Sequence, residues 1–152
     1  MGNERVNYPQ MNFANEKMLV DRLLSLLQSQ STFCGPVHVT PEFFYSRGRT
    51  DVVAVAQDES LIAFEAKLTD WRTGLHQAYR NTCFAHSSYV VLPKRTALAA
   101  FRFAGEFEKR GVGLCYVDDS ALVVLRMSSH NKPLEPWLAY DAVSLALGSV
   151  SQ

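Results

Sequence analysis

Apolar and polar positions are most informative between Asp51 and Lys67. From Asp51 to Ala56, valine and alanine fill both parities, which fits a central strand covered on both faces. Gln57 to Ser60 is a polar, turn-like interruption. From Leu61 to Lys67 the pattern splits, because side chains repeat every second residue along a strand. Ile62, Phe64 and Ala66 point one way; Leu61, Ala63, Glu65 and Lys67 point the other. The two runs predict a β-hairpin that carries Asp51, Glu65 and Lys67 on otherwise apolar strands. Asp51 shares a face with Glu65 or Lys67 only if it stands directly opposite one of them. A two-residue loop at Asp58-Glu59 would pair Gln57 with Ser60 and turn Asp51 to the wrong side. The hairpin is therefore predicted to close with three or five residues, or with a bulge.

Helical spacing brackets this hairpin. Met18, Leu19, Leu23, Leu26 and Leu27 predict an amphipathic helix from about Phe13 to Gln28, with Asn12 or Asn15 as N-cap. Val37 to Tyr45 reads as a strand in which Pro41 marks an edge or an irregularity. Thr69 or Asp70 caps a second helix running to about Ala85, with Leu75, Ala78, Tyr79, Thr82 and Cys83 as its packing stripe and Gln77 and Arg80 off it. Ser87 to Leu92 is a strand closed by Pro93. A further helix, capped by Thr96, ends near Arg110 before Gly111. Val112 to Val117 and Ala121 to Met127 form a second hairpin, whose Asp118-Asp119-Ser120 reads as turn chemistry rather than a metal site. A last helix, about Glu135 to Leu147, presents Trp137, Leu138, Val143 and Leu147 to the core or, failing that, to a second copy.

At 152 residues and 47% hydrophobic composition the chain is read as one domain, residues 1–152, of α/β class. Its formal net charge is zero, which excludes a protein that coats nucleic acid by bulk charge, so any anion site is local. No signal-peptide core and no apolar stretch of membrane-spanning length stands out, and the expected localisation is cytoplasmic. Cys34, Cys83 and Cys115 lack CxxC spacing and read as reduced thiols, and the four histidines share no ligand spacing.

Carboxylates in an apolar hairpin cost free energy unless a cation compensates them. Two carboxylates and a lysine at one spot could hold a hard divalent cation, with the ammonium beside a water or a phosphate oxygen, which is equipment for phosphodiester hydrolysis. Glu16, in the first turn of the first helix, either interacts with the helix dipole or adds a ligand. Arg47 and Arg49 form either a solvated basic turn or a phosphate contact. Gln77 could orient a water or phosphate. Arg72, Arg80, Lys94 and Arg95 could contact a nucleic-acid backbone, or simply face solvent.

The order helix, strand, hairpin with Asp51 and then Glu65-Ala66-Lys67, helix with Gln77, strand resembles the PD-(D/E)XK phosphodiesterase superfamily, that of restriction endonucleases and Holliday-junction resolvases. The resemblance spans roughly residues 12 to 93. It implies a restriction endonuclease-like three-layer fold with a central mixed sheet flanked by helices. It further implies Mg²⁺ (or Mn²⁺) held by Asp51, Glu65, the carbonyl of Ala66 and, in some branches, Glu16. Lys67 would position or deprotonate the attacking water, and Gln77 would complete the catalytic set. The chain departs from the pattern at Thr50, where a proline precedes the aspartate, and at Asn81, where a Gln-x-x-x-Tyr pattern has tyrosine. The expected function is a divalent-metal-dependent nuclease acting on DNA rather than RNA. The competing readings are a catalytically silent nucleic-acid-binding or assembly subunit of a larger complex, a homodimer among the possible assemblies, and an interaction domain in which Glu65 and Lys67 form a plain surface ion pair.

Overall fold

The computed structural model of the chain describes residues 13–148, so Asn12, one of the two expected N-caps, lies outside it. Asn15 caps α1 (Glu16–Gln28), its side chain accepting from the Met18 N–H at 2.9 Å. Three strands follow: β1 (Val37–Tyr45), β2 (Gly48–Ala56) and β3 (Leu61–Ala66). Then come α2 (Trp71–Asn81), β4 (Ser87–Pro93), α3 (Lys94–Phe101), α4 (Ala104–Arg110), β5 (Gly113–Val117), β6 (Leu122–Arg126) and α5 (Pro136–Gly148).

The strands lie in one mixed sheet in sequence order, β1 to β6. The β1–β2, β2–β3 and β5–β6 pairs are antiparallel, while β3–β4 and β4–β5 are parallel and joined through α2 and through α3–α4. Helices cover both faces, giving a three-layer α/β fold. On one side Leu19, Leu23 and Leu27 of α1 pack on Val52, Ala54, Phe64 and Val91. On the other, α2 to α5 cover Val53, Val55, Ala63, Val90 and Leu92. Both parities of β2 are therefore buried, as valine and alanine in every position require.

The hairpin closes with three residues. Val52 pairs with Phe64 and Val55 with Leu61, and the Ala56 N–H donates to the Ser60 carbonyl at 2.9 Å. Gln57, Asp58 and Glu59 form the loop, with Glu59 in the left-handed region at φ 66°. This register sets Asp51 opposite Glu65.

Four expectations are corrected. α2 stops at Asn81, short of Ala85, and its buried stripe includes Asn81, while Tyr79 is exposed. Thr96 does not cap: Pro93 holds the N-cap position, and the Thr96 hydroxyl donates to the Leu68 carbonyl at 3.0 Å. The single helix expected up to Arg110 is broken into α3 and α4 where Phe103 turns onto Trp71, ring centroids 5.4 Å apart. In α5 the buried residues are Ala142 and Ala146; Leu138 and Val143 are partly buried against the core, whereas Trp137 is exposed.

The β1–β2 ribbon also rolls over. Val37 and Val39 pack with α1, yet Phe43 and Tyr45, of the same parity, pack on the opposite side beside Phe84. The switch falls at Pro41-Glu42, where Glu42 has φ 56°, a conformation that reverses the alternation. β1 is the edge strand, which tolerates the proline.

Candidate functional site

Pairing between β2 and β3 ends at Val52 and Phe64, and the next residue of each strand is acidic. Asp51 Oδ2 accepts the Ala66 N–H at 2.9 Å, so its side chain continues the ladder where the backbone leaves off. Glu65 is only 2% exposed, and the Asp51 carboxylate is within hydrogen-bonding reach of it. Burial, and then the charge of Asp51, push the Glu65 carboxyl up to about 8, against the opposing pull of the Asn81 amide. Near neutral pH the metal-free pair therefore holds a proton. Arg49, half exposed, reaches Asp51 Oδ1 and Glu42 Oε1, each at 3.5 Å.

Asn81 supports Glu65 from the helix. It is fully buried, its Nδ2 donates to Glu65 Oε1 at 2.8 Å, and its Oδ1 accepts from the Thr50 and Tyr45 hydroxyls, both at 2.8 Å. Both departures from the family pattern, Thr50 and Asn81, thus belong to one buried network. Sequence reasoning missed it. A Gln-x-x-x-Tyr pattern puts a tyrosine at position 81; here the phenol comes from Tyr45 on β1, brought over by the roll of the ribbon.

Lys67 leaves the end of β3 on the Glu65 side, but its ammonium pairs with Glu16 Oε1 at 4.0 Å rather than with Asp51 or Glu65. Glu16 thereby joins the site through Lys67. The stem of Lys67 runs under α2 at Gly74, where an added Cβ would stand 2.9 Å from Lys67 Cγ and 3.2 Å from Val90 Cγ1. Gly74→Ala gains about 1 kcal/mol of helix propensity but must displace Lys67. Thermal unfolding should shift by no more than about 1 kcal/mol, while any activity that depends on Lys67 falls at least about tenfold. Gln77 is half-buried on α2 and makes no side-chain hydrogen bond among the described residues.

The basic residues divide. Arg80 is committed to the hairpin: its Nε donates to the Tyr45 hydroxyl at 3.2 Å and its Nη2 to the Arg49 carbonyl at 3.3 Å. Its guanidinium also fills the space beside Gly48, whose φ of 144° and missing Cβ make room for it. Arg80, expected either to face solvent or to contact a nucleic-acid backbone, thus has a structural role at the hairpin. Arg47 lies 4.0 Å from Glu135. Arg72 stacks on Trp71, Lys94 Nζ stands 5.7 Å from the Tyr116 ring centroid, and Arg95 is exposed. Asp118 accepts from the Ser120 and Ala121 N–H groups at 2.9 Å, the expected turn chemistry. All three cysteines are free thiols.

Among the described residues no group of three or more histidine, cysteine or acidic side chains converges as a ready metal cage. Asp51 and Glu65 offer hard oxygen donors, and among the described residues the buried Glu65 forms no ion pair, the Arg80 charge acting on it only from farther off, a donor set that fits a hydrated Mg²⁺ or Mn²⁺ better than a softer ion. No helix of the described residues is long and apolar enough to cross a membrane.

No protein-family model and no curated protein matches the chain. Its fold is similar to that of a protein of unknown function from Silicibacter pomeroyi. The TM-score is 0.64 and the sequence identity 12%, over 93% of this chain and 89% of that one. The likeness is one of fold.

Proposed function

We propose that the chain is a divalent-metal-dependent nuclease that hydrolyses phosphodiester bonds in nucleic acid, DNA in preference to RNA, within a restriction endonuclease-like fold. The observation that carries this reading is the pair of facing carboxylates, Asp51 and Glu65, the second buried and in no ion pair among the described residues. Two acids so placed destabilise the metal-free fold, and a hard cation would relieve them both. Asp51, Glu65 and the Ala66 carbonyl would hold Mg²⁺ or Mn²⁺, which supplies Lewis-acid stabilisation of the charge that develops on phosphate.

The chain's own residues do the rest. Lys67, steadied by Glu16 and by the Gly74 backbone, donates to the attacking water or to a phosphate oxygen. Arg49, exposed at the rim, offers its guanidinium fork to the phosphate once Asp51 no longer needs it. Asn81 fixes the Glu65 rotamer.

The test is plasmid cleavage with Mg²⁺ against EDTA. Lys67→Ala and Asp51→Ala should each lower the metal-dependent rate about a hundredfold or more. Cleavage that persists in EDTA, or in both variants, would sink the proposal. A second reading, a catalytically silent nucleic-acid-binding or assembly subunit, draws on the position of Arg49, which already sets a cation against Asp51. It predicts salt-dependent binding of nucleic acid with no cleavage in any metal.

A further inference from the structure

The net charge of zero hides an asymmetry. From Trp71 to Gly105 the sequence contains no aspartate or glutamate, while Arg72, Lys94, Arg95 and Arg102 are exposed cations. The acids flanking this stretch are already engaged. Asp70 caps α2 and accepts from Thr73, and Glu106 pairs with Lys109 and Arg110.

The stretch is also aromatic at its surface. α3 buries Ala97 and Ala100 and turns Lys94, Arg95 and Leu98 outward, and its C-cap Arg102 is exposed too. Just past its end Phe103 packs on the buried Trp71 and still leaves 47% of itself exposed, and Phe101, two residues earlier, is exposed as well. The Arg72 guanidinium lies 4.1 Å from the Trp71 ring centroid and 4.9 Å from that of Phe103. At the other end, Thr96 ties α3 to the Leu68 carbonyl at 3.0 Å, one residue beyond Lys67. A ridge of cations and aromatic faces therefore runs along α3 beside the turn from Leu68 to Trp71 that follows β3.

We propose that this ridge is a track for single-stranded DNA, with phosphates along Lys94, Arg95 and Arg102 and an unpaired base stacked on Phe103 beside Arg72. The substrate class rests on the nuclease reading above; the surface itself does not. Cations interleaved with aromatic rings suit a strand whose base faces are free, whereas in a duplex those faces are covered by stacking. Outside residues 71–105 the sequence holds fifteen acids against ten lysines and arginines, so a polyanion is favoured at this stretch over the rest of the chain, with Asp118 and Asp70 the acids nearest Lys94 and Arg72.

Binding of a fluorescent oligo-dT to the full chain in EDTA tests the track without turnover. The wild-type protein should bind it, more weakly as salt rises. Phe103→Ala and Phe103→Leu should each weaken binding about tenfold, because stacking a base is worth on the order of 1–3 kcal/mol. Phe103→Tyr should retain binding. The leucine variant keeps an apolar cover over Trp71, so a fall in its affinity at an unchanged melting temperature is not a folding defect. Arg95→Ala with Arg102→Ala should flatten the salt dependence by about 0.7 log unit per log unit of salt for each phosphate contact removed. The proposal fails if wild type does not bind oligo-dT, if Phe103→Leu binds as wild type does, or if a duplex of equal length binds as tightly and is equally sensitive to Phe103. The two readings separate by assay, since oligo-dT binding is read in EDTA and cleavage in Mg²⁺: Phe103-dependent binding without cleavage upholds the track and overturns only the nuclease reading.

Discussion

Glu65→Gln is expected to stabilise the metal-free protein at pH 8 and to remove its response to Mg²⁺. In the folded chain burial and the Asp51 charge hold the Glu65 carboxyl up to about 8, while the unfolded chain releases the same proton near the ordinary 4.5. Between those values the native state carries the extra proton, so stability falls as pH rises, by at most about 1.4 kcal/mol per pH unit. Below the unfolded value both states are protonated and the slope disappears. Glutamine has the shape of the protonated acid: its carbonyl still accepts from Asn81 Nδ2, and its amide donates to Asp51 at every pH. The variant should therefore unfold with a flat dependence from pH 5 to 8 and exceed wild type at pH 8 by on the order of 2 kcal/mol or more. Urea titrations in EDTA at both pH values measure this directly, and a wild-type stability that does not change between them would mean that the pair holds no proton. Mg²⁺ should raise the melting temperature of wild type but not of the variant, since only a ligand that binds the native state selectively does so. Cleavage should be lost with it.

The charged hairpin was legible because its constraints are local and periodic. Valine and alanine in both parities from Val52 to Val55 require cover on both sides, and the alternation from Leu61 onward fixes which way Glu65 points. Once Asp51 was required opposite Glu65, only an odd-numbered loop or a bulge remained, and the loop is Gln57, Asp58 and Glu59. The caps at Asn15 and Asp70 were legible for the same reason, since a side-chain oxygen must meet an N–H two or three residues on.

What escaped the sequence depends on contacts between elements distant along the chain. Nothing in Phe43 or Tyr45 announces that both change sides at Glu42, because period-two reasoning assumes a strand that keeps its faces. Arg80 looked like a solvent-facing cation on a helix; only the three-dimensional approach of Gly48 gives it a structural partner. Lys67 has the expected side of the strand, yet which carboxylate it pairs with depends on where the first turn of α1 arrives, and that acid is Glu16. The helix break at Phe103 likewise reflects its packing on Trp71, a residue on a different helix.

Asn81 carries the second large effect. Its side chain satisfies three groups at once, the buried Glu65 and Thr50 and the half-buried Tyr45, each at 2.8 Å. Asn81→Ala leaves all three short of a partner inside the protein, where each unsatisfied polar group costs about 1–3 kcal/mol and relaxation recovers part of the sum. A loss of about 3–5 kcal/mol follows, a large fraction of the stability of a domain this size. Tyr45→Phe removes one hydroxyl from the same network and should cost only about 1 kcal/mol. Asn81→Asp separates packing from electrostatics. It keeps the one oxygen that accepts from both Thr50 and Tyr45 but sets a second carboxylate oxygen against Glu65 Oε1 in place of a donor. Its stability should approach wild type at pH 5, where a proton can sit between the two acids, and fall away steeply by pH 8, whereas the alanine variant should be impaired at both. If Asn81→Asp and Asn81→Ala lose the same stability at both pH values, Asn81 is a packing residue and Glu65 takes its position from the strand alone. If they diverge as described, the buried amide is what allows a carboxylate to sit at the end of β3 at all.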